Sequence, residues 1–81
     1  MSVQDDIEKE RRRQIDKGFD YAHDDKHTDG QLVRGAVAYA LNNDYFWPWN
    51  DWPYNHAKTE RERLIVSIAM LVAEVERLDR I

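Results

Sequence analysis

The chain has no cysteine, three glycines, two prolines and no apolar run near the ~20 residues a helix needs to cross a bilayer. Without cysteine, neither a disulfide nor a thiolate metal site can staple it. No Gly-rich loop is present to cradle a phosphate, and no Ser, Cys or Lys stands in a nucleophile arrangement. Absence of a signal peptide and of a spanning segment sets the expectation of a cytoplasmic protein without membrane contact. Basic residues are outnumbered, 12 against 16 acidic ones, for a net charge of −4. The one basic cluster, Lys9 with Arg11, Arg12 and Arg13, lies among Asp5, Asp6, Glu8, Glu10 and Asp16. Neutralising phosphates needs a clustered basic surface, so direct nucleic-acid binding is not expected. Eighty-one residues allow one domain, 1–81, with a thin stability margin. Three Trp, four Tyr and two Phe must supply much of its core, and oligomerisation is the other route to buried area.

The pattern that is present is helical. Residues 2–17 read as a polar helix capped by Ser2, acidic early and basic late, as the helix dipole favours. Its apolar stripe is thin (Val3, Ile7, Ile15), which predicts a surface helix that docks lightly, and Gly18 ends it. A connector over 18–30 leads to a capping box, Thr28 with Gln31. A slim central helix, 29–41, is apolar on more than one face. Prolines and asparagines break the chain over 42–58, which holds six aromatic residues, Trp47 and Trp49 of Trp47-Pro48-Trp49 among them. A second capping box, Thr59 with Glu62, opens a buried amphipathic helix over 60–80. Its residues Leu64, Ile68, Leu71, Val75 and Leu78 step by four and three, a heptad-like seam that suits self-association as readily as an internal core. The expected fold is therefore all-α: a small three-helix domain with an aromatic Trp-Pro-Trp connecting loop, self-associating into a homo-oligomer.

Four constellations carry candidate chemistry. His23-Asp24-Asp25-Lys26-His27 offers imidazole and carboxylate groups, with His23, Asp25 and His27 as candidate metal ligands. Its plainer reading is an exposed acidic turn, with Asp25 or Thr28 capping the next helix. Glu76 and Asp79, beside Glu74, form an E-x-x-D step that could bind Mg²⁺, or simply a solvated helix face. Trp47, Trp49, Trp52 and Tyr54 could stack on a partner, or cap a small core with Trp47 inward and Trp52 outward. Arg34, Arg61 and Arg63 near helix ends could hold a phosphate beside Tyr39 or a tryptophan, or be solvated surface. The candidate ligand-binding set is thus Arg34, Tyr39, Trp49, Trp52 and Arg61, with no catalytic residue and no firmly implied cofactor.

Several strings taken together resemble a family of small phage and prophage proteins, and the C-terminal segment of lambdoid Ead-type early-region proteins. They are Glu10-Arg-Arg-Arg-Gln14, the run from His23 to Leu32, Ala38-Tyr-Ala-Leu41, Trp47-Pro-Trp49 with Trp52, and Ala73-Glu-Val-Glu-Arg-Leu-Asp-Arg80. The resemblance spans nearly the whole chain and implies a phage origin, hence host cytoplasm, more firmly than a chemistry. Relatives carry a Gly-Trp-Thr-Pro-Glu run where this chain has Gly18-Phe19-Asp20-Tyr21-Ala22, and an acidic residue where it has Arg63. The expected function is a phage accessory binding protein that acts on a host factor or sequesters a nucleotide-like ligand in host takeover or counter-defence. A fainter likeness to all-α nucleotide pyrophosphohydrolases of the MazG type implies a Mg²⁺ enzyme instead, although the E-x-x-E of that family has no counterpart on the second helix. A structural or regulatory protein–protein interaction module is the third reading.

Overall fold

In the computed structural model, which describes residues 2–49 and 58–81, the chain is all-helical. Helix α1 spans Val3–Asp16, α2 Tyr21–Asp24, α3 Gln31–Leu41 and α4 Glu60–Asp79, with a 3-10 turn at Asp44–Phe46. Trp52 and the rest of 50–57 lie outside the described residues.

Local chemistry accounts for most of these boundaries. Ser2 accepts from the Asp5 N–H and starts α1, whose first turn holds Asp5 and Asp6. Asp20 caps α2, a one-turn helix inside what the sequence marks only as a connector. Thr59 and Glu62 form a complete capping box at α4, as their spacing predicts. The same spacing misleads at α3. That helix begins at Gln31 behind Gly30, which takes φ +81° and supplies no side-chain cap. The Gln31 side chain turns back instead to accept from the Asp29 N–H at 2.7 Å. Asp25, the other expected cap, is the C-cap of α2. A left-handed residue directly before Gln31 turns the chain in by itself, and glycine adopts that conformation at little cost.

Helix α3 packs on α4 through small residues. Ala36, Ala38, Ala69 and Ala73 are buried, and Gly35 brings the backbones close. A Cβ on Gly35 would stand 2.5 Å from Met70 Cε and 3.0 Å from the Trp49 ring. The Ser67 hydroxyl donates to the Ala36 carbonyl at 2.7 Å and ties the two helices at that level. Tyr39, Trp47 and Trp49 close over Ala36, Val66 and Met70. Trp47 and Trp49 thus pack against the core, the architectural role that a small core asks of its aromatic residues.

Two expectations about the helices reverse. The thinly apolar α1 does not dock lightly: it buries Arg11 and Gln14 against the rest of the fold. Helix α4 does not bury its large aliphatic seam. Leu64, Ile68, Leu71, Val75 and Leu78 are all exposed, between 37% and 56%, while Val66, Ser67, Ala69, Met70, Ala73, Glu74 and Arg77 face inward. The reason is steric. Helices joined across Gly35 and four alanines approach too closely for a leucine stripe between them, so the small-residue face turns in.

Candidate functional site

The most buried charge among the described residues organises a cluster across α1, α2 and α4. Asp24 is 1% exposed, in the last turn of α2. One carboxylate oxygen accepts from Arg11 Nη2 at 2.9 Å, and the other faces His23 Nδ1 at 3.2 Å. Arg11 is fully engaged as well: its Nε donates to Glu76 at 3.1 Å and its Nη1 to the Phe19 carbonyl at 3.1 Å. A guanidinium fork distributes several donors in one plane, which lets one residue of α1 hold α2, the turn before it and α4 together.

From Asp24 the network runs outward. With the His23 ring proton on Nδ1, facing the Asp24 carboxylate, Nε2 is left as an acceptor. His27 Nε2 lies 3.3 Å from that nitrogen and donates to it when it carries the ring proton. The His27 ring meets Trp49 edge-on at 5.4 Å, Trp49 meets Trp47 at 4.8 Å, and Trp47 meets Tyr39 at 5.6 Å. A continuous path of ion pair, imidazole pair and indole edges therefore joins α1 to the aromatic cover of the core. His23 and His27 come together although α2 ends at Asp24, because the turn continues with the His27 N–H donating to the Asp24 carbonyl.

Burial, and then the nearby His23, hold the His27 pKa below its ordinary value; Asp24 opposes this and Lys26 adds to it. A histidine whose folded pKa is depressed contributes stability that is present above the unfolded value of about 6.5 and is lost as pH falls below it. The melting temperature should therefore drop between pH 7.5 and pH 5. A His27→Phe variant, which keeps a ring against Trp49, should show a flatter profile over that window. Parallel profiles for the two proteins would exclude His27 as the responsible group.

The candidate metal ligands do not assemble as one set. His23 and His27 share an edge, but Asp25 pairs with Arg80 at 2.6 Å and Glu76 with Arg11. Asp79 is exposed in the last turn of α4. Among the described residues no group of three or more His, Cys, Asp or Glu could hold a metal ion. Glu74, the other acid of the E-x-x-D face, is buried against Arg77 at 2.6 Å.

The candidate ligand-binding residues divide similarly. Tyr39 and Trp49 belong to the aromatic cluster, while Arg34 is exposed on α3 and Arg61 reaches Asp6 at 2.7 Å. Arg61 borders an open hollow of about 320 Å³ between α1 and α4, with Lys9, Glu10, Arg13 and Lys58. Burial raises the Tyr39 pKa, Arg13 lowers it, Glu10 raises it, and the net shift is upward. Burial pushes the Glu10 carboxyl up, but the bond and charge of Arg13, the bond from Gln14 and the charge of Lys58 together outweigh this and the net shift is downward.

Arg11 and Asp24 were not singled out as site residues by their sequence context. Arg11 sits in a polar helix and Asp24 in an acidic turn, where solvation is the ordinary fate of such groups. One signal was available. The apolar stripe of α1 is too thin to dock a helix, so some polar residue had to do it.

No protein-family model, curated protein or solved structure matches the chain.

Proposed function

We propose that this chain is a phage-type accessory binding protein that works by contact with another macromolecule, a host factor, rather than by chemistry at a catalytic centre. The observation that carries the reading is the outward stripe Leu64, Ile68, Leu71, Val75 and Leu78. Exposed leucines occur singly on many surfaces, but an uninterrupted aliphatic row along one helix marks a contact site. The enzyme reading gains less support. A MazG-type centre needs free carboxylates converging on Mg²⁺, whereas Glu76 is held by Arg11 and Glu74 by Arg77. Release of pyrophosphate from a deoxynucleoside triphosphate with Mg²⁺, abolished by Glu76→Ala, would revive it.

The comparison to make is affinity capture from host extract with the wild-type chain and Leu71→Lys side by side. A host protein retained by the first and lost with the second is expected. Identical capture by both would sink the contact-surface reading. A second reading, sequestration of a nucleotide-like anion, draws on the hollow between α1 and α4, where Lys9 and Lys58 form no ion pair among the described residues. Calorimetric titration with cyclic and ADP-ribose-type nucleotides tests it, and silence across that panel would remove it.

A further inference from the structure

We infer that the outward face of α4 is covered by a second copy of this chain. The inference rests on reading that face as a contact surface, and it makes the host-factor contact of the proposed function a contact of the paired chain rather than of the bare stripe.

The spacing selects the kind of partner. Side chains repeating at four and three residues interlock with a helix that carries the same repeat, and this chain supplies one. The residue types sharpen the choice. Leu64, Leu71 and Leu78 alternate with β-branched Ile68 and Val75, the alternation of leucine at one core position and β-branched residues at the other that suits two-stranded packing. The pairing is self-complementary, so the same patch serves both copies and a two-fold dimer closes on itself.

Packing inside the fold argues the same way. Among the described residues the buried hydrophobics are Leu32, Val66 and Met70 together with four alanines, while five larger aliphatic side chains of α4 stand outside. Pairing would cover aliphatic side chains that the chain's own interior leaves 37–56% exposed. The exposed fractions amount to roughly 400 Å² of apolar surface per copy, within the ~300–600 Å² of the largest, often functional, patch on a typical monomer. Two copies bring roughly 800 Å² together, and half-buried Ile65 and Val72 along one edge extend this toward the ~1,200 Å² at which stable interfaces begin.

Charge does not call for a different partner. No charged residue occupies the stripe between Leu64 and Leu78. The charged residues of α4 that fall between those two leucines are answered within the chain, Glu74 by Arg77 and Glu76 by Arg11. A neutral aliphatic face with its neighbouring charges already paired offers nothing to select a strongly acidic or basic partner.

Light scattering on the full chain from micromolar to millimolar concentration tests the inference. Twice the chain mass of 9.7 kDa is expected. Leu71→Lys places an ammonium at the centre of the seam and should weaken dimerisation on the order of a hundredfold, with the helical circular dichroism of α4 retained. Because the chain has no cysteine, Leu71→Cys can be oxidised cleanly. It should form a covalent dimer, whereas Asp16→Cys, exposed at the end of α1, should not. If Leu71→Lys unfolds, the wild-type melting temperature decides: a rise with protein concentration supports the dimer, and invariance overturns it. A monomeric mass throughout the range, with Leu71→Cys cross-linking no better than Asp16→Cys, also overturns it. Should Leu71→Lys then still abolish capture of a host protein, the contact-surface reading stands and only the identity of the occupant is lost.

Discussion

Replacing Asp24 with alanine is expected to destabilise the fold by about 3 kcal/mol, the lower end of what breaking a buried ion pair costs. The carboxylate is 1% exposed and answers a guanidinium whose side chain is 9% exposed. Its removal leaves Arg11 buried with Glu76 and the Phe19 carbonyl as remaining acceptors. Those two contacts keep the cost from reaching the upper end of the range. His23 loses the group that fixes its tautomer, so the His23–His27 contact should loosen too. For a domain of this size, 3 kcal/mol corresponds to a drop in melting temperature on the order of 15 °C. Total stabilities run from about 5 to 15 kcal/mol, so the variant would stand close to unfolding at body temperature.

The double variant Arg11→Met with Asp24→Leu separates pairing from burial. Apolar groups of similar volume need no partner, and such replacements are often neutral or better. The double variant should therefore recover most of the stability lost in Asp24→Ala. Urea unfolding of the wild type, both single variants and the double variant closes the cycle. A loss below about 1 kcal/mol in Asp24→Ala would show that the pair behaves as a surface salt bridge and does not organise the fold.

The second large effect is expected at Gly35. Alanine there should be close to neutral. Its Cβ would approach Met70 Cε at 2.5 Å, but the end of a methionine moves readily, and a helical glycine gives up about 1 kcal/mol relative to alanine. Leucine should cost more than 2 kcal/mol, since the extra volume can only go where the Trp49 and Trp47 rings stand, 3.0 Å and 3.4 Å from that Cβ. Tryptophan emission reads the displacement directly: Gly35→Leu should shift it to the red as the indoles gain water, and Gly35→Ala should not. A Gly35→Leu protein with wild-type stability and emission would show that the rings are not held against α3.

How much was legible from the sequence differs from helix to helix. Capping is local, so Ser2 and the Thr59–Glu62 box could be read directly and both helices start where those residues place them. Local signals also compete. Thr28 with Gln31 has the form of a box, yet Gly30 between them adopts the left-handed conformation and starts α3 without it. The heptad spacing on α4 was equally plain, but spacing alone is silent about which side of a helix the fold covers. Of the candidate site, His23 and His27 were legible as a pair, whereas Arg11 and Asp24 were not, because nothing local separates a buried charge from a solvated one until its partner is in place.

The sequence by itself determined the all-helical class, the capped starts of α1 and α4 and the repeat from Leu64 to Leu78. Each follows from interactions within a few residues or from a period that one helix displays alone. Only the tertiary structure decided that Asp24 is buried on Arg11, that Glu76 belongs to that same guanidinium, and that the leucine stripe faces outward. The first two depend on α1 and α2 meeting α4, and the last on how closely α3 approaches α4. Gly35 and the alanines set that distance, and at that distance the small face of α4 fits inside while the large one is left for a partner.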